Sequence, residues 1–178
     1  VNHYIQEYNA SVLIYAELIS ALGCLRKNGI YIYKIYDMNY KITTDILFIT
    51  QCFFNNIELY KPLTSRSGNS EKYVICNDFK GINANILDKL INILEQWINN
   101  KEINNEEIYK FIRCKLFYEK NNYNIGNINI IDNINCNIPL SFYKLISNIN
   151  KTFNNKQIEN IKNTLTIRYD DNWIINRR

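Results

Sequence analysis

Glycine and proline are scarce in this chain of 178 residues: there are five glycines, none of them clustered, and two prolines. A glycine-rich loop, which would let backbone close around a bound cofactor, is therefore missing. The single histidine, His3, lies at the terminus, where it reads as a frayed residue and argues against a zinc site of ordinary His/Cys spacing. No apolar run approaches the roughly 20 residues of a membrane span, so no membrane partner is expected. No basic stretch followed by an apolar one opens the chain, as a secretory signal would. Met38 is the only methionine and Val1 comes first, which reads as a fragment of a longer protein.

Asparagine and isoleucine, by contrast, fill about a third of all positions, a bias expected of an AT-rich genome. The glycosylation-like triplets at Asn9 and Asn150 then arise by chance. Hydrophobic residues make up 47% of the chain and charged residues 21%, the balance of a globular protein with one good core. A formal charge of +4 permits an anionic partner without demanding one. The five cysteines, Cys24, Cys52, Cys76, Cys114 and Cys136, form no CxxC pair. They read as reduced, mostly buried thiols in a cytosol-like compartment.

Tyr8, Val12, Tyr15, Ile19 and Leu22 recur at helical steps, predicting a helix over residues 5–27 that stops at Asn28-Gly29, with Gly29 as left-handed cap. The run IYIYKIYD is Ile- and Tyr-rich and too short for a helix of its own, so it reads as a buried strand. Residues 39–54 carry Ile42, Ile46, Ile49 and Phe53 at helical spacing, and short strands over 57–60 and 72–76 follow. The connection between those two strands is too short for a crossover helix, so they pair antiparallel. Beyond Gly81 the pattern becomes mainly helical. Leu87, Leu90, Ile91, Leu94 and Trp97 mark one helix, Ile108, Phe111, Ile112 and Leu116 a second; residues 121–138 are open between strand pair and loop. Pro139 opens a third, through Phe142, Leu145, Ile146 and Ile149, and 157–168 forms a fourth.

Two stretches carry polar residues in a distinctive order: GIYIYKIYD, with Lys34 on the strand, and KPLTSRSGNSEKY, Lys61 to Tyr73. Together they resemble the catalytic half of the FtsJ-like RNA ribose 2'-O-methyltransferases, over roughly residues 5–80. The wording KPLTSR.GNSEKY is similar to the mRNA-cap enzymes of eukaryotes and large DNA viruses. The resemblance implies an α/β fold: the second half of a Rossmann-like, S-adenosylmethionine-dependent methyltransferase sheet over residues 1–80. Its last strand would be antiparallel and inserted beside the Lys34 strand, with a mainly helical extension over 81–178. It also implies methyl transfer to a ribose 2'-hydroxyl, with Lys34 as second lysine and Glu71 as glutamate of a Lys-Asp-Lys-Glu catalytic set. Lys61, Ser65 and Arg66 would hold RNA phosphates, or Arg66 would simply pair with Glu71 or Asp37.

The family's S-adenosylmethionine loop, first lysine and aspartate have no counterpart in these residues and are expected upstream. The fragment alone is then expected to be inactive, with capped mRNA and the upstream half of the domain as partners and the cytoplasm, or a viral factory, as setting. A different reading keeps the fold but not the chemistry: a non-catalytic RNA-binding or regulatory subunit. The tyrosines at 31, 33, 36 and 40, interleaved with Lys34 and Lys41, suit either a base-stacking platform or plain strand alternation.

Overall fold

The computed structural model describes residues 6–62, 65–66, 68–99 and 138–169. Its elements are α1 (Gln6–Cys24), β1 (Tyr31–Ile35), α2 (Lys41–Phe53), β2 (Phe54–Tyr60), β3 (Lys72–Phe79), α3 (Ala84–Asn99) and α4 (Leu140–Tyr169). The strands form one sheet in the order β1-β3-β2, with β3 antiparallel to both neighbours. The last strand is thus inserted beside the Lys34 strand, as the resemblance implies, in an α/β arrangement.

Alternation sets the faces of this sheet. Tyr33, Ile35, Val74 and Cys76 point under the helices and are buried, whereas Ile32, Lys34, Glu58 and Tyr60 on the opposite face are exposed. α2 buries Ile42, Ile46, Ile49 and Phe53, the whole of its expected stripe. Its N-terminus has no cap from its own sequence. Instead the buried Glu7 carboxylate, brought in by α1, accepts from the Asn39 and Tyr40 amides and from the Thr43 hydroxyl. A carboxylate satisfies otherwise orphaned donors there and complements the helix dipole.

Several local expectations shift. Tyr8 is exposed, and Glu7 and Ser11 take the buried positions at that end of α1. The left-handed residue after α1 is Asn28, at φ 65°, not Gly29. Gly29 is needed for another reason, since a Cβ there would stand 2.8 Å from the Arg26 carbonyl oxygen. β2 starts directly at Phe54, three residues before the expected strand, because Phe54 is buried at 1% exposure at the sheet end. β3 runs on to Phe79, with Asp78 at φ 59° tolerating a conformation open to short polar side chains. Cys24 is exposed, unlike Cys76.

α3 and α4 pack on the same core as the first 80 residues, through Ile86, Leu90, Ile93, Phe142 and Ile146. Ile91 points outward, since α3 buries the face one step round from the expected stripe. Residues 140–169 form one helix rather than two; no glycine or proline interrupts them, and the polar run around Asn154-Asn155 is simply a solvated stretch of it. The expected helix at 108–116, residues 121–137 of the undecided segment, His3, Cys114 and Cys136 lie outside the described residues. No helix among the described residues is long and apolar enough to cross a membrane.

Candidate active site

β1 delivers Lys34 near its carboxyl end, and the chain re-enters the sheet beside it. Ile35 pairs with Lys72 across the ladder, which sets Glu71 just beyond the last paired residue. Lys34 and Glu71 consequently line one cavity of about 560 Å³, together with Tyr36, Asp37, Asn69 and Gln157.

The electrostatics of the pair follow from their neighbours. Slight burial of Lys34 pulls its pKa down, but the Tyr36 hydroxyl, then Glu71 and Tyr73, outweigh it, and the ammonium titrates above its usual range. The Lys34 Nζ also stands 5.3 Å from the Tyr36 ring centroid. Glu71 is oriented in turn by Tyr73, whose hydroxyl donates to its Oε1 at 2.6 Å. The arrangement holds a cation and an anion at the mouth of a polar cavity and keeps the cation charged.

Beneath them sits Lys72, the middle residue of the EKY triplet, to which the sequence assigned no role. It is 1% exposed and donates to the Ser70 carbonyl at 2.9 Å, the Tyr36 carbonyl at 3.2 Å and Asp37 Oδ1 at 3.3 Å. Burial lowers its pKa while Asp37 opposes the shift. Lys72 thereby ties the end of β1 to the residue preceding Glu71.

The three residues expected to meet RNA phosphates differ in their surroundings. Lys61 donates to Asn69 O at 2.7 Å, Asn69 Oδ1 at 2.9 Å and Glu71 O at 3.1 Å, so its three N–H donors are directed into the loop itself. Ser65 donates to Asn69 Oδ1 at 3.2 Å. Arg66 is exposed and, among the described residues, pairs with neither Glu71 nor Asp37. Ser65 and Arg66 share with Glu71 and Tyr73 a second depression, about 470 Å³ in volume.

Of the tyrosines, Tyr33 is buried and bonded to Thr50 at 3.0 Å, and Tyr31 stacks on it at 5.1 Å between centroids. Strand alternation accounts for both. Lys72, Tyr73 and Gln157 are site residues to which sequence reasoning gave no role, and Tyr36 was weighed only as part of a tyrosine alternation. Lys72 and Tyr73 carried a signal, standing within the EKY triplet.

Residues 1–79 match the family described as FtsJ-like methyltransferase. In these residues the chain is similar to FtsJ-like methyltransferases. The chain is 34% identical over 79 residues to the mouse cap-specific mRNA (nucleoside-2'-O-)-methyltransferase 2, covering 44% of this chain and 10% of that protein. It is 28% identical over 123 residues to the mouse cap-specific mRNA (nucleoside-2'-O-)-methyltransferase 1, covering 68% and 15%. With the Xenopus laevis form of the latter it shares 32% over 89 residues, covering 50% and 10%. The chain thus spans 10 to 15% of the length of these relatives.

FtsJ-like methyltransferases use S-adenosylmethionine. The described residues of this segment do not fit that group: its glycines, Gly23, Gly29 and Gly68, stand at three separate places in the chain and make no glycine-rich loop. Nor do three or more His, Cys, Asp or Glu side chains among the described residues gather to hold a metal ion.

Proposed function

We propose that this chain is part of an RNA ribose 2'-O-methyltransferase acting on mRNA caps in the cytoplasm, with S-adenosylmethionine as methyl source. The observation that carries the reading is the convergence of Lys34 and Glu71 on one cavity at the end of β1 and β3. A ribose hydroxyl is a poor nucleophile at neutral pH, and a lysine within reach can accept its proton or neutralise its developing charge. In this proposal Lys34 addresses that hydroxyl, Glu71 orients the ammonium, and Ser65 and Arg66 meet phosphates in the adjoining depression. Lys61 acts on RNA through the shape of the loop that its three bonds hold. The cap assignment is supported by what the relatives are named for methylating.

The donor-binding residues, on this reading, belong to a companion half of the sheet that pairs along the free edge of β1. Among the described residues that edge has no partner strand. Ile30 and Ile32 beside it are 61% and 56% exposed, and Leu13 of α1 is 60% exposed. Apolar surface of this kind around an open strand suits a further strand.

The test is transfer of labelled methyl from S-adenosylmethionine to capped RNA. It uses the longest natural polypeptide containing these residues, with the 178-residue chain and Lys34→Ala in parallel. Transfer by the long form, none by the short chain, and loss with Lys34→Ala are expected. A folded long form that binds capped RNA without transferring methyl would favour a non-catalytic subunit, the reading that the scattered glycines support.

A further inference from the structure

α4 lies wholly beyond the segment that matches the methyltransferase family, yet one of its faces reaches the candidate active site. Asn150, Phe153, Gln157 and Ile161 follow one another at steps of three and four, which places them along one side of a helix. Each meets a different part of the site. Asn150 is 7% exposed and donates through Nδ2 to Asn39 Oδ1 at 2.8 Å, just after β1. The Phe153 ring lies 5.5 Å from Lys72 Nζ. Gln157 donates through Nε2 to the Gly68 carbonyl at 3.0 Å and lines the cavity that holds Lys34 and Glu71. Ile161 Cγ1 stands 3.6 Å from where a Cβ on Gly68 would be, so it closes over the same turn.

The loop so touched carries the proposed substrate contacts, Ser65 and Arg66, and leads into Glu71. Its internal side-chain bonds from Lys61 and Ser65 converge on Asn69, and two backbone bonds, from the Ser65 amide to the Pro62 carbonyl and from the Asn69 amide to the Arg66 carbonyl, lie within it. Gln157 supplies a bond from outside the loop, anchored to a helix whose root is packed in the core through Phe142 and Ile146. A loop with one more external bond spends more of its time in a single shape, and a ligand that needs that shape binds more tightly in proportion.

We propose that α4 is the outer wall of the substrate site and that Gln157 is a positioning residue. It holds the turn at Gly68 so that the loop from Ser65 to Glu71 is preformed for RNA. This rests on the RNA methyltransferase reading of the cavity, and the experiment separates the two. Gln157→Glu keeps the length of the side chain and replaces the donor by an oxygen that repels the Gly68 carbonyl. Gln157→Leu removes the donor without adding charge, so repulsion of RNA by a new carboxylate is distinguished from loss of the bond.

In the longest natural polypeptide, both variants should retain the wild-type melting temperature and show faster amide hydrogen exchange at 65–71. The KM for capped RNA should rise roughly three- to tenfold, the population change that follows from one lost hydrogen bond, while kcat falls by less. Unchanged exchange in the loop, or faster exchange with unchanged KM, would overturn the proposal. If the wild type transfers no methyl but binds capped RNA, the enzyme reading fails alone, and the same comparison made on the RNA dissociation constant decides the role of Gln157. Absence of RNA binding by the wild type would overturn both.

Discussion

Tyr73 and Glu71 are joined across two residues of one strand end, hydroxyl to carboxylate, at 2.6 Å. The bond turns a side chain at the rim of the sheet into a fixed acceptor. It also keeps Glu71 available to Lys34, whose charge it helps to stabilise. Tyr73→Phe removes one hydrogen bond at a half-exposed position, so the fold is expected to be unaffected. Methyl transfer should fall roughly three- to tenfold, the equivalent of one neutral or charge-assisted hydrogen bond. A rate equal to wild type would detach Tyr73 from the site.

Lys34→Ala and Glu71→Ala should separate in severity. Lys34 is an exposed strand residue, so its loss spares packing; removing the group that meets the hydroxyl should cost on the order of 100-fold or more in kcat. In the proposed mechanism Glu71 acts on the substrate largely through Lys34, so its alanine variant should retain more activity. Single-turnover rates at saturating RNA compare the two directly, and equal losses would contradict the division of roles.

Lys72→Met should destabilise the fold by about 1–3 kcal/mol, measured by urea denaturation. The lower part of the scale for a broken buried ion pair applies because Asp37, at 32% exposure, can take up water when its partner is gone. The carbonyls of Tyr36 and Ser70 lose a donor at the same time. A variant as stable as wild type would show that Lys72 only breaks even against its own desolvation.

Asp45 links α2 to α4 and gives a pH signature. Its side chain is fully buried, Oδ1 accepts from the Tyr143 hydroxyl at 2.7 Å, and Oδ2 has no hydrogen-bond partner among the described residues. Burial pushes its pKa up to about 7, with the Tyr143 bond opposing. A carboxyl that holds its proton more tightly folded than unfolded costs stability as pH rises from about 4 to about 7, and the cost is constant above that. Asp45→Asn should therefore gain on wild type by about 2 kcal/mol between pH 5 and pH 8. A difference that stays flat with pH would show that Asp45 does not ionise in that window.

Much of this arrangement was legible in the residues, and the reasons it was not entirely so are physical. Ile42, Ile46, Ile49 and Phe53 repeat at helical spacing because one face of α2 meets the core, and all four are buried. Lys34 and Glu71 could be singled out only by resemblance, because an exposed strand lysine and a loop carboxylate carry no pattern of their own. Gly29 was the expected left-handed residue, yet Asn28 takes that conformation; what requires glycine at 29 is the close approach of the Arg26 carbonyl, which exists only in three dimensions. Glu7 caps a helix 32 to 36 residues away, and Gln157 reaches Gly68 across 89. Partners at such separations leave no local trace. The merging of the last two expected helices has a simpler origin: asparagines lower helix propensity without breaking a helix that is anchored at its root.

The open side of β1 also governs how these residues behave in a test tube. Among the described residues no strand pairs with the outer edge of β1, and an open edge beside Ile30 and Ile32 is a template that another strand can copy. Expressed by itself at high concentration, the chain would satisfy that edge with a second molecule of its own kind. Cloudiness in such a preparation, relieved by supplying the proposed companion half of the sheet, would be a colloidal readout of topology.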